Sequence, residues 1–204
     1  MRSSFDTWFS EIKKYKRKLL ISLFFLVLAI IAYIVTGDYV SDRLGSVVSP
    51  DLILDFLGPY DLSFLFIWLF LAMIILFFGY PLLFKPRDLP YAISMFSFFV
   101  MIRSLFISFT HLRVPYDAIH VTFPGYFQLL NFSNTLFFSG HVGISFLGFL
   151  IFEDIKWLRY FMLTTSIILG ITVLLMHVHY SIDVFSAYFI TYGIYHIGNR
   201  LFKR

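Results

Sequence analysis

Cysteine is missing from all 204 residues, which excludes a disulfide framework, a thiolate metal centre and a cysteine nucleophile. Charge is scarce: Asp, Glu, Lys and Arg make up 14% of the chain, against about 25% in a typical soluble domain. No internal repeat, low-complexity tract or soluble domain stands out. What fills the chain instead is apolar, 59% hydrophobic and 22% aromatic, with a mean hydropathy of +0.83. That balance reads as a membrane protein.

Crossing about 30 Å of hydrocarbon takes about 20 helical residues. Six apolar runs come close to that length, at residues 19–35, 62–84, 91–109, 134–151, 157–176 and 181–201. They are continuous rather than alternating, which favours helices over a β-barrel. Ahead of the first run, Phe5, Trp8, Phe9, Ile12 and Tyr15 recur at helical spacing among Lys and Arg. This pattern predicts a short amphipathic helix lying on the membrane surface. The first run ends in "AYIVTGDYV" without a convincing cleavage site, so its retention is expected. The expected architecture is therefore all-α and polytopic, one membrane domain over 1–204. It divides into a basic amphipathic segment, 1–18, and a bundle of six transmembrane helices, 19–204.

The net charge of +4 is distributed unevenly. Of the 16 Lys and Arg, all but Arg43, Arg103 and Arg113 fall in the amino-terminal tail, two short loops and the carboxyl tail, whereas Asp38, Asp42, Asp51, Asp55 and Asp61 crowd the first opposite loop. By the positive-inside rule both termini are expected in the cytoplasm. The second, fourth and sixth runs then begin at the outer face, where unpaired N–H groups and helix dipoles favour an anion such as phosphate.

Chemistry-bearing residues collect at that face. "FFSGHVG" opens the fourth run with Ser139, Gly140 and His141, and "MHVHYSIDVFSAY" opens the sixth with His177, His179, Tyr180 and Asp183. His179 and Asp183 are four residues apart, one turn of a helix, so the carboxylate can fix the imidazole tautomer and leave the other nitrogen as base, nucleophile or ligand. Arg103 lies six residues before the outer end of the third run. An Arg in hydrocarbon costs about 2.5–3.5 kcal/mol on insertion scales and calls for an anionic partner. That partner is either a substrate phosphate or a carboxylate such as Asp183 or an outer-loop aspartate. Gly140 and Gly143 also suit close helix packing. His111 and His120 read as solvated loop residues, and His196 as a hydrogen-bonding residue of the bundle. Tyr60, Trp68, Tyr116 and Tyr180 are candidates to contact a cationic group through cation-π attraction.

These residues resemble a known family. "SGH", followed later by a His four residues before an Asp, is similar to the signature of the type 2 phosphatidic acid phosphatase superfamily. "HYSIDVFSAYFITYGIYH" resembles the last motif of its sphingomyelin synthase and ceramide phosphoethanolamine synthase branch. "IRSLFISFTHLRVP" is similar to that branch's third-helix motif through Arg103, Thr110, Leu112, Val114 and Pro115, and "SPDLILDFLG" less closely to its first loop. There are departures. Thr172 and Val173 stand where the phosphatases carry Ser-Arg, there is no K-x6-R-P motif, and "NTLFFSGHV" lacks the flanking residues of the animal synthases.

The resemblance implies a transferase that moves phosphocholine or phosphoethanolamine from a glycerophospholipid to a lipid alcohol, ceramide or diacylglycerol, through a phosphohistidine. In that scheme His179 is the nucleophile, Asp183 orients it, and His141 handles protons. Arg103, Ser139 and Gly140 bind the phosphate, while His177 and Tyr180 support the site or the head group. Neither cofactor, metal nor nucleic acid is implied, and the site is expected to face the extracytoplasmic leaflet. Two alternatives stand beside it: a lipid phosphatase or phospholipase C that hydrolyses the same intermediate, and a metal or haem protein ligated by His141, His177 and His179.

Overall fold

The computed structural model describes residues 4–41, 47–123, 125 and 134–202, with side chains from Trp8 onward. Among these residues all regular structure is helical. The helices are α1 (Ser4–Ser41), α2 (Leu52–Phe56), α3 (Ser63–Phe84), α4 (Leu89–Phe109), α5 (Gly140–Ile151), α6 (Lys156–Leu175) and α7 (Ser181–Phe202), with a 3₁₀ turn over Pro86–Asp88 ahead of α4. The side chain of Phe5 lies outside what is described.

The expected surface helix and first span are one uninterrupted α1 of 38 residues. Nothing between residues 4 and 36 breaks a helix, since the first glycine is Gly37 and the first proline Pro50. At about 1.5 Å per residue α1 is about 57 Å long, nearly twice a hydrocarbon core of about 30 Å. The fourth run departs from expectation in the other direction, because α5 holds only 12 residues. Its approach segment stays irregular because its polar groups are committed elsewhere. The carbonyls of Thr135 and Phe138 accept hydrogen bonds from Arg103, and the Ser139 N–H donates to the Asp183 carbonyl.

Four helical stretches, Trp8–Ser41, Ser63–Phe84, Pro86–Phe109 and Lys156–Leu175, are long and apolar enough to cross a membrane. Leu20, Phe24, Val27, Ile31 and Val35 of α1, with Ile171 of α6 and Phe189 of α7, are exposed, as lipid-facing side chains would be. This is the character of an integral membrane protein. α5 is apolar but short, and α7 has the length but carries Asp183, Thr191, His196, Asn199 and Arg200.

α4 is the central element, packing along α1 and also against α3, α5 and α7, while α5 packs on α6 and α7. Two seams depend on glycine. A Cβ on Gly143 would lie 2.6 Å from Phe99, and one on Gly198 would lie 2.5 Å from the Met95 sulfur. Removing the side chain there lets the helices approach closely. At one end of the bundle α3, α5 and α7 begin while α1, α4 and α6 finish. Thr36 meets Ser108 at 3.4 Å there, and Tyr60 N–H donates to the Leu175 carbonyl.

Candidate active site

His179 and Asp183 meet as their spacing predicts. Nδ1 of His179 lies 3.2 Å from Oδ2 of Asp183, with the carboxylate fully buried. The same Oδ2 accepts the backbone N–H of Tyr180 at 3.0 Å, so Asp183 reaches back over the first turn of α7 in the manner of a capping box. A single side chain thus starts the helix and aims the imidazole. With Nδ1–H donating to the carboxylate, Nε2 carries the lone pair.

A second carboxylate closes the same helix end. Asp51 Oδ1 accepts from the N–H groups of Ile53 and Leu54 and caps α2, while its Oδ2 accepts from Ser181 N–H at 2.6 Å. Burial alone would push the Asp51 carboxyl up, but hydrogen bonds from Ser181, Leu54 and Ile53 outweigh it and hold it below the ordinary carboxylate value. At α3, Asp61 Oδ1 accepts from Ser63 N–H at 2.9 Å. Two of the three helix starts expected to attract an external anion are therefore already engaged by the chain's own aspartates. α5 is the exception, with no side-chain hydrogen bond from its N-cap residue Ser139.

Arg103 sits at that uncapped start. Its Nε donates to the Phe138 carbonyl at 2.7 Å and its Nη2 to the Thr135 carbonyl at 2.6 Å. Gly140 admits it, since a Cβ there would stand 3.3 Å from Nε. Among the described residues no carboxylate lies within ion-pair distance of Arg103, so the expected alternative of a pair with Asp183 is not formed. Nη1 makes no protein hydrogen bond among them, and the Tyr33 ring lies 5.7 Å from the guanidinium carbon.

His141, one residue further along α5, is held between aromatic rings, 4.2 Å from both Phe66 and Phe70 and 6.3 Å from Phe123 by ring centroids. Its Nε2 has no hydrogen-bond partner among the described residues. Arg103, Gly140, His141 and His179 all line one cavity of about 770 Å³, within the range of small-molecule sites. Sequence reasoning placed Arg113 and His120 only in an outer loop, yet both join this lining, as does Tyr116. No spacing signal marks the loop residues, because the loop is positioned by distant backbone bonds such as Ile119 N–H to the Met176 carbonyl.

The remaining candidates lie off the cavity. Ser139 is fully buried, with Oγ unpartnered among the described residues. Tyr180 is buried with its hydroxyl donating to the Arg113 carbonyl at 2.7 Å and accepting from Ser49 N–H at 3.1 Å, which makes it a clasp between two loops. His177 adopts a left-handed backbone at φ 54°. Its Nδ1 lies 2.9 Å from Asp117 Oδ2, a bond that holds the Asp117 carboxyl below its ordinary value. His177 thus faces a loop aspartate, and among the described residues no three His, Asp or Glu side chains converge as metal ligands. His196 is exposed and contacts Tyr192 and Tyr195 of its own helix, and among the described residues it makes no hydrogen bond across the bundle. Tyr60 and Trp68 are exposed away from the cavity. No family model, curated protein or solved structure matches this chain.

Proposed function

We propose that this chain is a phospholipid head-group transferase resembling the sphingomyelin synthase branch of the type 2 phosphatidic acid phosphatase superfamily. The observation that carries the reading is the convergence of a carboxylate-oriented His179, a second histidine, His141, and Arg103, which meets no carboxylate among the described residues, on one cavity. Phosphoryl transfer between lipids needs a nucleophile, a proton carrier and a cation, and these three side chains have those capacities.

In the first half-reaction His179 Nε2 attacks the phosphorus of a glycerophospholipid. An N–P bond forms, the P–O bond to diacylglycerol breaks, and His141 gives its proton to the departing oxygen. In the second, the hydroxyl of a lipid alcohol such as ceramide attacks the same phosphorus, its proton passes to His141, and the N–P bond breaks. Arg103 and the N–H groups opening α5 stabilise the phosphoryl oxygens, whose charge grows in both transition states. Two of the guanidinium nitrogens hold carbonyls, so the arginine offers phosphate its remaining N–H groups from a fixed position.

The proposed topology has six spans, α1 and α3–α7, with both termini cytoplasmic and the cavity mouth at the extracytoplasmic leaflet. In it the basic start of α1 lies at the inner surface. A second reading shares the covalent intermediate but ends in hydrolysis. It is favoured by the exposure of Tyr116, Arg113 and His120 at the mouth, where water has access.

The purified protein should be supplied with head-group-labelled phosphatidylcholine or phosphatidylethanolamine, with and without ceramide. Label appearing on ceramide, and absent with His179→Ala, supports transfer. Free phosphocholine or phosphoethanolamine as sole product establishes the hydrolytic reading, and an unlabelled His179 after trapping with donor lipid removes the covalent step from both.

A further inference from the structure

The cavity extends well beyond its polar mouth. On α3 it is lined by Phe66, Phe70, Ile74 and Phe78, a stripe at four-residue spacing that puts every member on one helix face. On α1 the lining is Leu26, Ile30 and Tyr33, and on α4 it is Phe96, Phe99, Val100 and Arg103. Three helix stripes therefore wall one continuous channel, apolar along its length and cationic where Arg103 and Arg113 stand. From Phe66 to Phe78 is twelve residues, or about 18 Å at about 1.5 Å per residue. That matches one leaflet, half of a hydrocarbon core of about 30 Å.

The deep end is closed by aromatic rings. Phe78 and Phe96 meet edge to face with centroids 5.1 Å apart. Behind them Phe77, fully buried, stands 5.0 Å from Phe78 and 6.0 Å from Phe96, and is itself backed by Phe152 at 5.6 Å. Trp8 Nε1 donates to the Leu82 carbonyl at 2.7 Å, joining α1 to α3 one turn beyond the floor. Such a channel suits an apolar tail attached to an anionic head.

We infer that the channel takes one acyl chain of the phospholipid donor and that the Phe78–Phe96 pair is its floor, setting the longest chain the site accepts. This rests on the reading of the mouth as a phosphoryl-transfer site. A chain that reaches the rings lodges its phosphate beside Arg103, and a longer one lifts the phosphate away from His179. In a hydrophobic pocket a single methylene is worth about tenfold or more in discrimination.

The test uses the full chain in vesicles of phosphatidylcholine doped with two photoactivatable phosphatidylcholines, one carrying the diazirine at the chain terminus and one near the glycerol. Crosslinked peptides are mapped by mass spectrometry. The terminal probe is expected to label the lining residues Ile74, Phe78, Phe96 and Phe99, and the upper probe Phe66 and Phe70. Labelling by the terminal probe only at outward-facing residues such as Ile75 or Phe64 overturns the inference. Chain-length profiles of transfer supply the second arm. Phe78→Trp should move the short-to-long preference by about tenfold toward shorter chains, and Phe78→Ala should move it toward longer ones. Unchanged profiles in both variants also overturn it. Because labelling requires no turnover, floor labelling without transfer defeats the proposed reaction and keeps the channel, whereas transfer without floor labelling defeats the channel alone.

Discussion

Asp183 serves two ends with one oxygen. The Oδ2 that orients His179 is also the acceptor that fixes the Tyr180 N–H, so the imidazole is aimed by the same bond that starts its helix. Arg103 is similarly divided between holding the approach to α5 and facing the cavity. The pair formed by Asp117 and His177 ties the mouth loop to the turn before His179. Because that bond lowers the Asp117 carboxyl in the folded protein, its contribution is present above the unfolded value of about 3.9 and is lost as pH falls through the lower folded one. Asp117→Asn should therefore cost about 0.2–1 kcal/mol near neutrality, the range of solvent-screened pairs, since the carboxylate is half exposed. The difference in thermal midpoint between the two proteins should begin to shrink as pH falls below about 4 and vanish only below the lower folded value, and a difference that grows on acidification would contradict the assignment.

Helix α5 owes its position to what it lacks. Gly143 lets α5 close on Phe99 and Thr191. Gly143→Ala should destabilise the bundle by about 1–3 kcal/mol through overpacking, a loss that Phe99→Leu relieves in the double variant. Gly79→Ala, with open space around it on α3, should be neutral or stabilising by up to about 1 kcal/mol. Thermal midpoints in detergent check both. The limits of sequence reasoning are visible in the same elements. Long apolar runs gave α3, α4, α6 and α7 to within a few residues, and the four-residue spacing gave the His179–Asp183 contact. The shortness of α5 was hidden, because it follows from Arg103 capturing carbonyls more than thirty residues away. The double role of Asp51 was hidden for the same reason, as its second oxygen reaches Ser181 across the chain. Nor does any local pattern place Phe66 and Phe70 around His141.

For the whole molecule the absence of cysteine becomes an experimental convenience. A single introduced thiol reports its side of the membrane without background. In sealed cells a membrane-impermeant maleimide should label Leu52→Cys directly and Lys156→Cys only after permeabilisation, if the cavity mouth opens outward as proposed. The reverse pattern would put the mouth on the cytoplasmic face and remove the extracytoplasmic leaflet as the source of substrate.

Asp51 is made well before its partner, since the N–H that its second oxygen accepts belongs to residue 181. During translation that oxygen must wait for the 130 residues that separate it from its donor. Until residues 179–183 are made, both members of the His179–Asp183 pair are also missing, so a copy truncated ahead of that pair would lack the proposed reaction.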